Sequence, residues 1–501
     1  MAFAKRFAML FAAGLAVASA PAAVASAPSL GSASPESLGH LLARMRVQSG
    51  PVWSAHLTSM SNVMRNGETV DLKSETQGLR FASYECNGAL CAGTYFDGER
   101  LYSININGTT LPETNSADPL LRAERTIASF TFLAPDFAAQ GGRLADDGTT
   151  AISGVPYRTL LISNGDAVPM LIYVDPKTAS VKYMRDVNGD ITLEYRDYTE
   201  VAGRYELPMQ VLQNGALLER YERRDEVSTP FEMPHGPVPV FATRPATVPT
   251  DPSLATPVFA CTLGGIATTC LLDSGNSGLS VSLELAEQLN APTIGSFRVR
   301  GLGDYATEVV RTGALQIGSM TFPAANYVVL HDIGRFGYQV VVGADLLAAT
   351  TVHLDNTAHR VVFGAPVPQN GYTVPLAFDN FVPFIDVLLG ALPAQLTLDT
   401  GDESSINLAF GFYQAHKVFT PTSESTVSGV GGSSVELQGT IPLVQIGGYA
   451  IESPKIGATP NLPNTELGHL GAGLLAHFNV TIDYASGLLY FSPLTTASPN
   501  P

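Results

Sequence analysis

The sequence predicts a mainly β protein whose C-terminal half contains one folding unit twice. Only 15% of the 501 residues are charged, 45% are hydrophobic and 47 are glycine, which is typical of a turn-rich β protein and not of a disordered chain. Short apolar runs bounded by turn residues recur along the chain, as expected for strands. A set of landmarks also repeats after 126 residues (399 minus 273), which indicates a duplicated unit.

Residues 1–25 have the pattern of a secretory signal peptide. Lys5 and Arg6 form a basic start, an apolar stretch follows from Phe7 to Ala18, and residues 23–25 fit a small-residue cleavage site. The apolar stretch is too short to span a membrane. The sequence therefore predicts a periplasmic or secreted protein whose mature chain has no transmembrane anchor.

Residues 30–235 predict a mostly antiparallel β-sheet domain. A short helical segment from Pro35 to Met45 comes first, and strands such as Tyr102–Gly108 and Met170–Asp175 follow between turn residues. The proline-rich segment 236–252 then predicts a linker.

Residues 253–365 and 366–495 predict two copies of one β unit. Each copy has an entry strand, a second strand that ends in Asp, a Gly-rich turn, a pair of residues before Gly, and a later strand that ends in Asp. In chain order these are Phe259–Ile266, Asp273, Gly301–Gly303, Val341–Gly343 and Val352–Asp355 in the first copy, and Phe384–Ala391, Asp399, Gly429–Gly431, His469–Gly471 and Val480–Asp483 in the second. We expect a short helix after each Asp, at 282–289 and 408–415.

Both copies place a carboxylate, a small hydroxyl residue and a glycine at the end of an apolar strand. The residues are Asp273, Ser274 and Gly275 in the first copy and Asp399, Thr400 and Gly401 in the second. A glycine allows the chain to turn tightly there, so the carboxylate lies at the mouth of a packed core. Folding the copies about an approximate twofold axis would bring the two carboxylates together.

This pattern resembles the retropepsin-like aspartic peptidases, and its tandem copy resembles their two-lobed pepsin-like relatives. The resemblance covers about residues 240–495. It implies two retropepsin-like β-barrel lobes in a pepsin-like bilobal unit, and an exported aspartic endopeptidase that acts on a peptide or protein substrate. Asp273 and Asp399 would be the catalytic pair, and a substrate groove would run between the lobes.

The chemistry of such a pair follows from charge repulsion. Two carboxyls a few ångström apart share one proton, so one pKa is pushed down and the other up. The ionised partner can take a proton from a water while the protonated partner donates to the scissile carbonyl oxygen. Ser274 and Thr400 would hydrogen-bond across the junction, and Gly275 and Gly401 would let backbone N–H groups approach the carboxylates.

Two Gly-rich turns are candidates for flaps that close over a bound peptide. Their residues are Gly301, Leu302 and Gly303 in the first copy and Gly429, Val430 and Gly431 in the second. The alternative interpretation is that both are plain hairpin tips.

Two residues of the second copy depart from the family pattern. His469 stands where an apolar residue is preferred, and Asp402 follows Asp399-Thr-Gly closely. We expect Asp402 to face solvent and His469 to be a packed or surface residue. These departures leave open an alternative, in which a catalytically inactive envelope protein binds peptides or apolar ligands on the same fold.

The leading hypothesis makes the protein a monomer with an internal pseudo-twofold axis. A third possibility is that each unit pairs with its twin in another molecule, which would place Asp273 against Asp273.

The four cysteines predict disulfides in an exported chain. Cys86 and Cys91 flank an Asn-Gly turn, and Cys261 and Cys270 flank Gly264-Gly265, so we favour these two pairs of the three pairings that four cysteines allow. A zinc site is the competing interpretation, but neither pair has a second Cys or His pair at finger spacing, so we expect no metal.

The net charge of −17 argues against nucleic acid or an anionic membrane surface as a partner. The Gly-rich segments lack the acidic residue of a dinucleotide site, so we expect no cofactor.

Overall fold

The computed structural model describes residues 36–65, 68–87, 89–113, 119–187, 192–460, 462 and 467–494. The predicted signal peptide, 1–25, lies outside the described residues. Strands account for 53% of the described residues and helices for 13%, which confirms the predicted mainly β class. Within the described ranges, no helix has the length and apolar character needed to cross a membrane.

The N-terminal half contains an antiparallel sheet in which thirteen described strands form a meander. The strands are β1 (His56–Arg65), β2 (Glu68–Gln77), β3 (Arg80–Asn87), β4 (Leu90–Phe96), β5 (Leu101–Ile104), β6 (Thr110–Pro112), β7 (Gly142–Ile152), β8 (Val155–Asn164), β9 (Met170–Val174), β10 (Val181–Asp186), β11 (Thr192–Val201), β12 (Tyr205–Gln213) and β13 (Ala216–Glu226). Their spatial order runs from β6 down to β1 and then from β13 down to β7. Strands β1 and β13 are therefore antiparallel neighbours in the middle of the sheet.

Two helices, α1 (Leu38–Ser49) and α2 (Pro119–Ala128), pack against this sheet. The predicted helix at 35–45 begins at Leu38 because the Ser37 hydroxyl caps it, accepting the His40 N–H at 3.3 Å. It ends at Ser49 because Gly50 follows with a φ of 59°. Between α2 and the sheet lies a cavity of about 170 Å³, whose mainly apolar walls also carry Arg125 and Arg224.

The first C-terminal unit contains strands β14 to β26 and two short helices. They are β14 (Val240–Phe241), β15 (Ala246–Pro249), β16 (Val258–Leu263), β17 (Ile266–Leu272), β18 (Leu279–Ser282), α3 (Leu283–Gln288), β19 (Thr293–Arg300), β20 (Asp304–Arg311), β21 (Leu315–Ile317), β22 (Met320–Phe322), β23 (Asn326–Leu330), β24 (Val340–Val342), α4 (Ala344–Ala349), β25 (Val352–Asp355) and β26 (Arg360–Phe363).

The second C-terminal unit repeats this series. Its elements are β27 (Tyr372–Pro375), β28 (Ala377–Asp379), β29 (Val382–Leu389), β30 (Leu392–Asp399), β31 (Ile406–Ala409), α5 (Phe410–His416), β32 (Ser423–Gly429), β33 (Gly432–Thr440), β34 (Leu443–Ile446), β35 (Tyr449–Glu452), β36 (Lys455–Thr459), β37 (Gly468–Gly471), α6 (Ala472–Leu475), β38 (Phe478–Asp483) and β39 (Leu488–Pro493). Short 3-10 turns also occur at Val52–Ser54, Thr131–Leu133 and Ile333–Phe336.

The two units have the same strand order. The first sheet runs β22-β21-β16-β17-β24-β18-β23-β20-β19, and the second runs β35-β34-β29-β30-β37-β31-β36-β33-β32. Each sheet contains two parallel pairs at equivalent places, β17 with β24 and β18 with β23 in the first unit, and β30 with β37 and β31 with β36 in the second. The repeated landmarks in the sequence therefore correspond to a repeated topology.

A six-stranded sheet joins the units. Its order is β15-β26-β25-β38-β39-β27, and β25 pairs antiparallel with β38, so that Val352 lies opposite Ile482 and Leu354 opposite Val480. Residues of both units share one hydrophobic core. The two units are thus fixed against each other, and so are the strands that carry Asp273 and Asp399.

Three details differ from the sequence prediction. The proposed linker at 236–252 contains β14 and β15, which occupy the edges of sheets, where proline is tolerated. The second predicted helix begins at Phe410, because residues 406–409 form β31 inside the sheet. The two unit sheets remain open at their edges, so the described residues form no closed barrel.

Candidate functional site

Both catalytic candidates lie at the ends of central strands. Asp273 directly follows β17, and its backbone N–H donates to the Val342 carbonyl at 3.0 Å. Asp399 is the last residue of β30, opposite Gly471 of β37. The parallel neighbours β24 and β37 hold each chain reversal in place, so the backbone sets the position of each carboxylate.

Ser274 and Thr400 form a reciprocal hydrogen-bond network between the units. The Ser274 N–H donates to the Thr400 hydroxyl, and the Thr400 N–H donates to the Ser274 hydroxyl, each at 3.0 Å. The Ser274 hydroxyl in turn donates to the Leu398 carbonyl at 2.6 Å, and the Thr400 hydroxyl donates to the Leu272 carbonyl at 2.8 Å. Both side chains are fully buried. Breaking this network would leave buried backbone groups without partners.

The glycines bring backbone N–H groups to the carboxylates. Gly275 N–H donates to Asp273 Oδ1 at 2.8 Å, and Gly401 N–H donates to Asp399 Oδ1 at 2.9 Å. Each glycine also faces the opposite Asp: a Cβ on Gly401 would lie 2.5 Å from the carboxyl carbon of Asp273, and one on Gly275 would lie 2.7 Å from that of Asp399. The close approach of the two loops therefore requires glycine at both positions.

The two carboxyls share a hydrogen bond, and the pKa of each is raised. Burial, then the charge of Asp399 and the hydrogen bond to it, raises the pKa of Asp273 well above its ordinary value. Burial also raises the pKa of Asp399, while His469 acts in the opposite direction. Both carboxyls therefore hold a proton to higher pH than an exposed aspartate does.

His469 and Asp402 lie beside Asp399. His469 Nδ1 is 3.3 Å from Asp399 Oδ2 and 3.3 Å from Asp402 Oδ2. The Asp402 side chain is only 20% exposed, so the expectation that it faces solvent is wrong. The reason is a tertiary contact, because β37 brings His469 to the turn that follows β30. His469 is a packed residue, as expected, but it contacts the site.

Among the described residues, one group of side chains could hold a metal ion. It consists of Asp399, Asp402 and His469, whose possible ligand atoms all lie within 4.8 Å of one another. Their atoms already pair directly, and the His469 proton can satisfy both carboxylates. We assign no metal to them.

The predicted flap residues come together. The hairpins β19–β20 and β32–β33 touch at their tips, where Gly303 N–H donates to the Val430 carbonyl at 3.4 Å. The Leu302 side chain packs on Gly429, and a Cβ on Gly303 would lie 2.0 Å from the Gly431 carbonyl oxygen. A Cβ on Gly301 would lie 2.5 Å from the Val430 oxygen. The turns are more than free hairpin ends, because each contacts the other.

Two tyrosines near the pair were missed by the sequence analysis. Burial raises the pKa of Tyr338, and the charges of Asp273 and Asp399 contribute to the rise. The same two charges add to the effect of burial on the pKa of Tyr484. Tyr338 also packs, as do Val299 and Val430 of the two hairpins, against one apolar cluster that includes Leu271 and Val341. Neither tyrosine belongs to a motif; only the position of Tyr484 directly after the landmark Asp483 could have indicated it.

The N-terminal sheet domain docks next to the site through a buried acid. Asp345 of α4 accepts from Asn105 at 2.8 Å, from Asn107 at 2.7 Å and from the Thr109 hydroxyl, all in the turn between β5 and β6. Asn105 also donates to the Ser277 carbonyl at 3.3 Å, four residues after Asp273. The domain therefore contacts the loop that carries the first carboxylate.

The structure contains both favoured disulfides, Cys86–Cys91 and Cys261–Cys270. The second joins β16 to β17, the strand that leads to Asp273. Two disulfides fit a protein that folds in an oxidising compartment.

Comparison with protein-family models finds no match, and a search of curated protein sequences finds none either. The functional interpretation therefore depends on the geometry of the site.

Proposed function

We propose that this protein is an exported aspartic endopeptidase in which two retropepsin-like lobes form a pepsin-like bilobal unit. The observation that carries the proposal is the contact between the Asp273 and Asp399 carboxyls, held by the reciprocal hydrogen bonds of Ser274 and Thr400. The active unit is a monomer, because both carboxylates come from one chain.

Hydrolysis requires a base and an acid on opposite sides of one water molecule. The ionised carboxylate takes a proton from the water as the water oxygen attacks the scissile carbonyl carbon, and the protonated carboxyl donates to the carbonyl oxygen. The resulting tetrahedral diol then collapses, the C–N bond breaks, and the leaving nitrogen takes a proton from the pair. The shared proton makes the pair most effective at acidic pH, where one carboxyl is protonated.

The substrate is an extended peptide. The hairpins β19–β20 and β32–β33 offer strand edges with which a peptide backbone can pair, and their contacting tips would part to admit it. Protein or peptide in the periplasm or outside the cell is the substrate class that an exported chain would meet.

A fluorogenic peptide library tests the proposal. We expect cleavage at acidic pH, inhibition by a peptide that contains statine, whose hydroxyl mimics the tetrahedral diol, and no effect of EDTA. Absence of cleavage over the whole acidic range, together with no binding of the statine peptide, would contradict it.

A second candidate function is ligand binding without catalysis. The observation that favours it is the cavity of about 170 Å³ in the N-terminal sheet domain, which exceeds the ~150 Å³ of a cavity that binds benzene. An apolar ligand that raises the melting temperature equally in the unsubstituted protein and in an Asp273→Asn variant would support this function. Peptide cleavage by the same protein would show that ligand binding is not its sole function.

A further inference from the structure

The two halves of the site differ at two equivalent positions. The third residue after the catalytic Asp is Asn276 in the first unit and Asp402 in the second. The second difference is in the parallel neighbour strand: Val341 lies opposite Leu271, and His469 lies opposite Thr397, where Leu271 and Thr397 each stand two residues before the Asp. One unit thus has an amide and an apolar side chain where the other has an ionisable pair.

The ionisable pair acts on one carboxyl of the two. His469 Nδ1 lies 3.3 Å from Asp399 Oδ2 and 3.3 Å from Asp402 Oδ2, and its side chain is 16% exposed. Asp402 is held in turn by the Ser404 N–H, which donates to its Oδ1 at 2.8 Å. The counterpart Val341 is buried and has no charge to offer Asp273. The site is therefore electrostatically asymmetric although its backbone is repeated.

A positive charge next to one member of a proton-sharing pair decides which member is ionised. We propose that His469, oriented by Asp402, makes Asp399 the base that takes the proton of the water and leaves Asp273 as the acid that protonates the carbonyl oxygen. This inference rests on the proposed peptidase function. His469 is a positioning residue, since it acts through Asp399.

Other titratable groups on the neighbouring elements lie near Asp399, Asp402 and His469. They are Asp273 after β17, Glu403 after β30, Glu436 on β33, Tyr338 before β24 and Tyr484 after β38. Each of these five side chains is neutral or negative. Of the six groups, His469 is therefore the one that supplies positive charge. Burial raises the pKa of Glu436, and the charge of Asp402 contributes to the rise.

The pH profile of kcat/KM tests the assignment, because removal of His469 and removal of Asp402 should displace the profile in opposite directions. In His469→Val, which copies the first unit, the negative Asp402 remains beside Asp399, and the profile should move to higher pH by about one unit. In Asp402→Asn the positive His469 remains, and the profile should move to lower pH by a similar amount. The double variant should lie between the two.

Asp386→Asn is the matched control, since it makes the same change at an exposed acid of β29 and should leave the profile in place. A purely structural role of His469 would lower kcat/KM without these opposed displacements. Displacements of equal sign, or no displacement in either variant, would overturn the inference.

A measurement that needs no activity separates this inference from the proposed function. The NMR resonance of the His469 ring, identified as the one lost in His469→Val, should titrate at lower pH in Asp399→Asn and in Asp402→Asn than in the unsubstituted protein. An unchanged titration in both variants would overturn the inference even if the protein cleaves peptides. A protein that shows the expected titration but cleaves no peptide would overturn the proposed function, and with it the assignment of base and acid.

Discussion

The Ser274 N–H donates to the Thr400 hydroxyl, and the Thr400 N–H donates to the Ser274 hydroxyl, each at 3.0 Å. This exchange joins the two repeated units at the loops that carry Asp273 and Asp399. Each hydroxyl also donates to a carbonyl of the opposite strand, so no bond of the network is confined to one unit. The relative position of the two carboxylates follows from it.

Loss of the Thr400 hydroxyl should weaken the junction. In Thr400→Val the Ser274 N–H and the Leu272 carbonyl lose a buried partner, so the free energy of unfolding should fall by about 1–3 kcal/mol, as measured by urea titration. Thr400→Ser keeps the hydroxyl and is the control. Equal stability of the two variants would contradict a role for the network.

A methyl group at Gly401 should separate the carboxylates. Its Cβ would lie 2.5 Å from the carboxyl carbon of Asp273, so that side chain must move, and kcat should fall by about 10²-fold. Gly411→Ala is the control, because a Cβ there meets nothing within 4 Å, and alanine favours the helix α5. A Gly401→Ala variant with full activity would show that the observed approach of the loops is not needed.

Asp273 should lower the stability of the protein at neutral pH. Folding raises the pKa of this carboxyl, so its favourable contribution is present below the ordinary value of 3.8 and is lost as pH rises through the folded pKa. Asp273→Asn removes the titratable carboxyl and keeps an oxygen for the Gly275 N–H. The variant should therefore melt at a higher temperature than the unsubstituted protein at pH 7, and the difference should disappear in strong acid.

Calorimetry at a series of pH values measures this difference. A variant that is less stable at neutral pH would mean that the charge of Asp273 is compensated by groups other than those described.

Contact between the hairpin tips should contribute to substrate binding. Gly303→Val would place a side chain against the Gly431 carbonyl and hold the tips apart, so KM should rise by about tenfold, which corresponds to about 1.4 kcal/mol of binding. Ser428→Ala removes one member of an exposed hydroxyl pair in the facing hairpin β32–β33 and should change KM little. Steady-state kinetics on one peptide substrate distinguishes the two variants, and an unchanged KM in Gly303→Val would contradict a flap role.

Asp345 should hold the N-terminal sheet domain in place. Asp345→Ala removes the acceptor of the Thr109 hydroxyl and one of the two acceptors of each of the Asn105 and Asn107 amides. The domain should therefore be held less tightly, and small-angle scattering should show a larger radius of gyration. Asp386→Ala, at an exposed position, is the control. A compact Asp345→Ala variant would show that other contacts suffice.

The duplicated unit and its catalytic candidates could be predicted because they depend on local sequence. Asp273 and Asp399 end apolar strands, and the order of landmarks around them is the order of strands in the sheets. The disulfides were similarly local, since Cys261 and Cys270 flank the turn of one hairpin.

What the sequence did not reveal depends on contacts between distant segments. Asp345 is buried because a turn far earlier in the chain covers it, and Thr109 of that turn stands 236 positions before Asp345. Asp402 was expected in solvent because its contact with His469 crosses 67 residues. β14 and β15 lie in a proline-rich segment, and only the sheets to which they pair identify them as strands.

The separate replacement of Asp273 and Asp399 by Asn tests the central claim most directly. The kcat/KM of each variant should be measured on a cleaved peptide at the pH optimum of the unsubstituted protein, with Asp386→Asn as the control. If both acids act on one water, each single replacement should abolish hydrolysis and the control should retain it. Full hydrolysis by either single variant would contradict the two-carboxylate site.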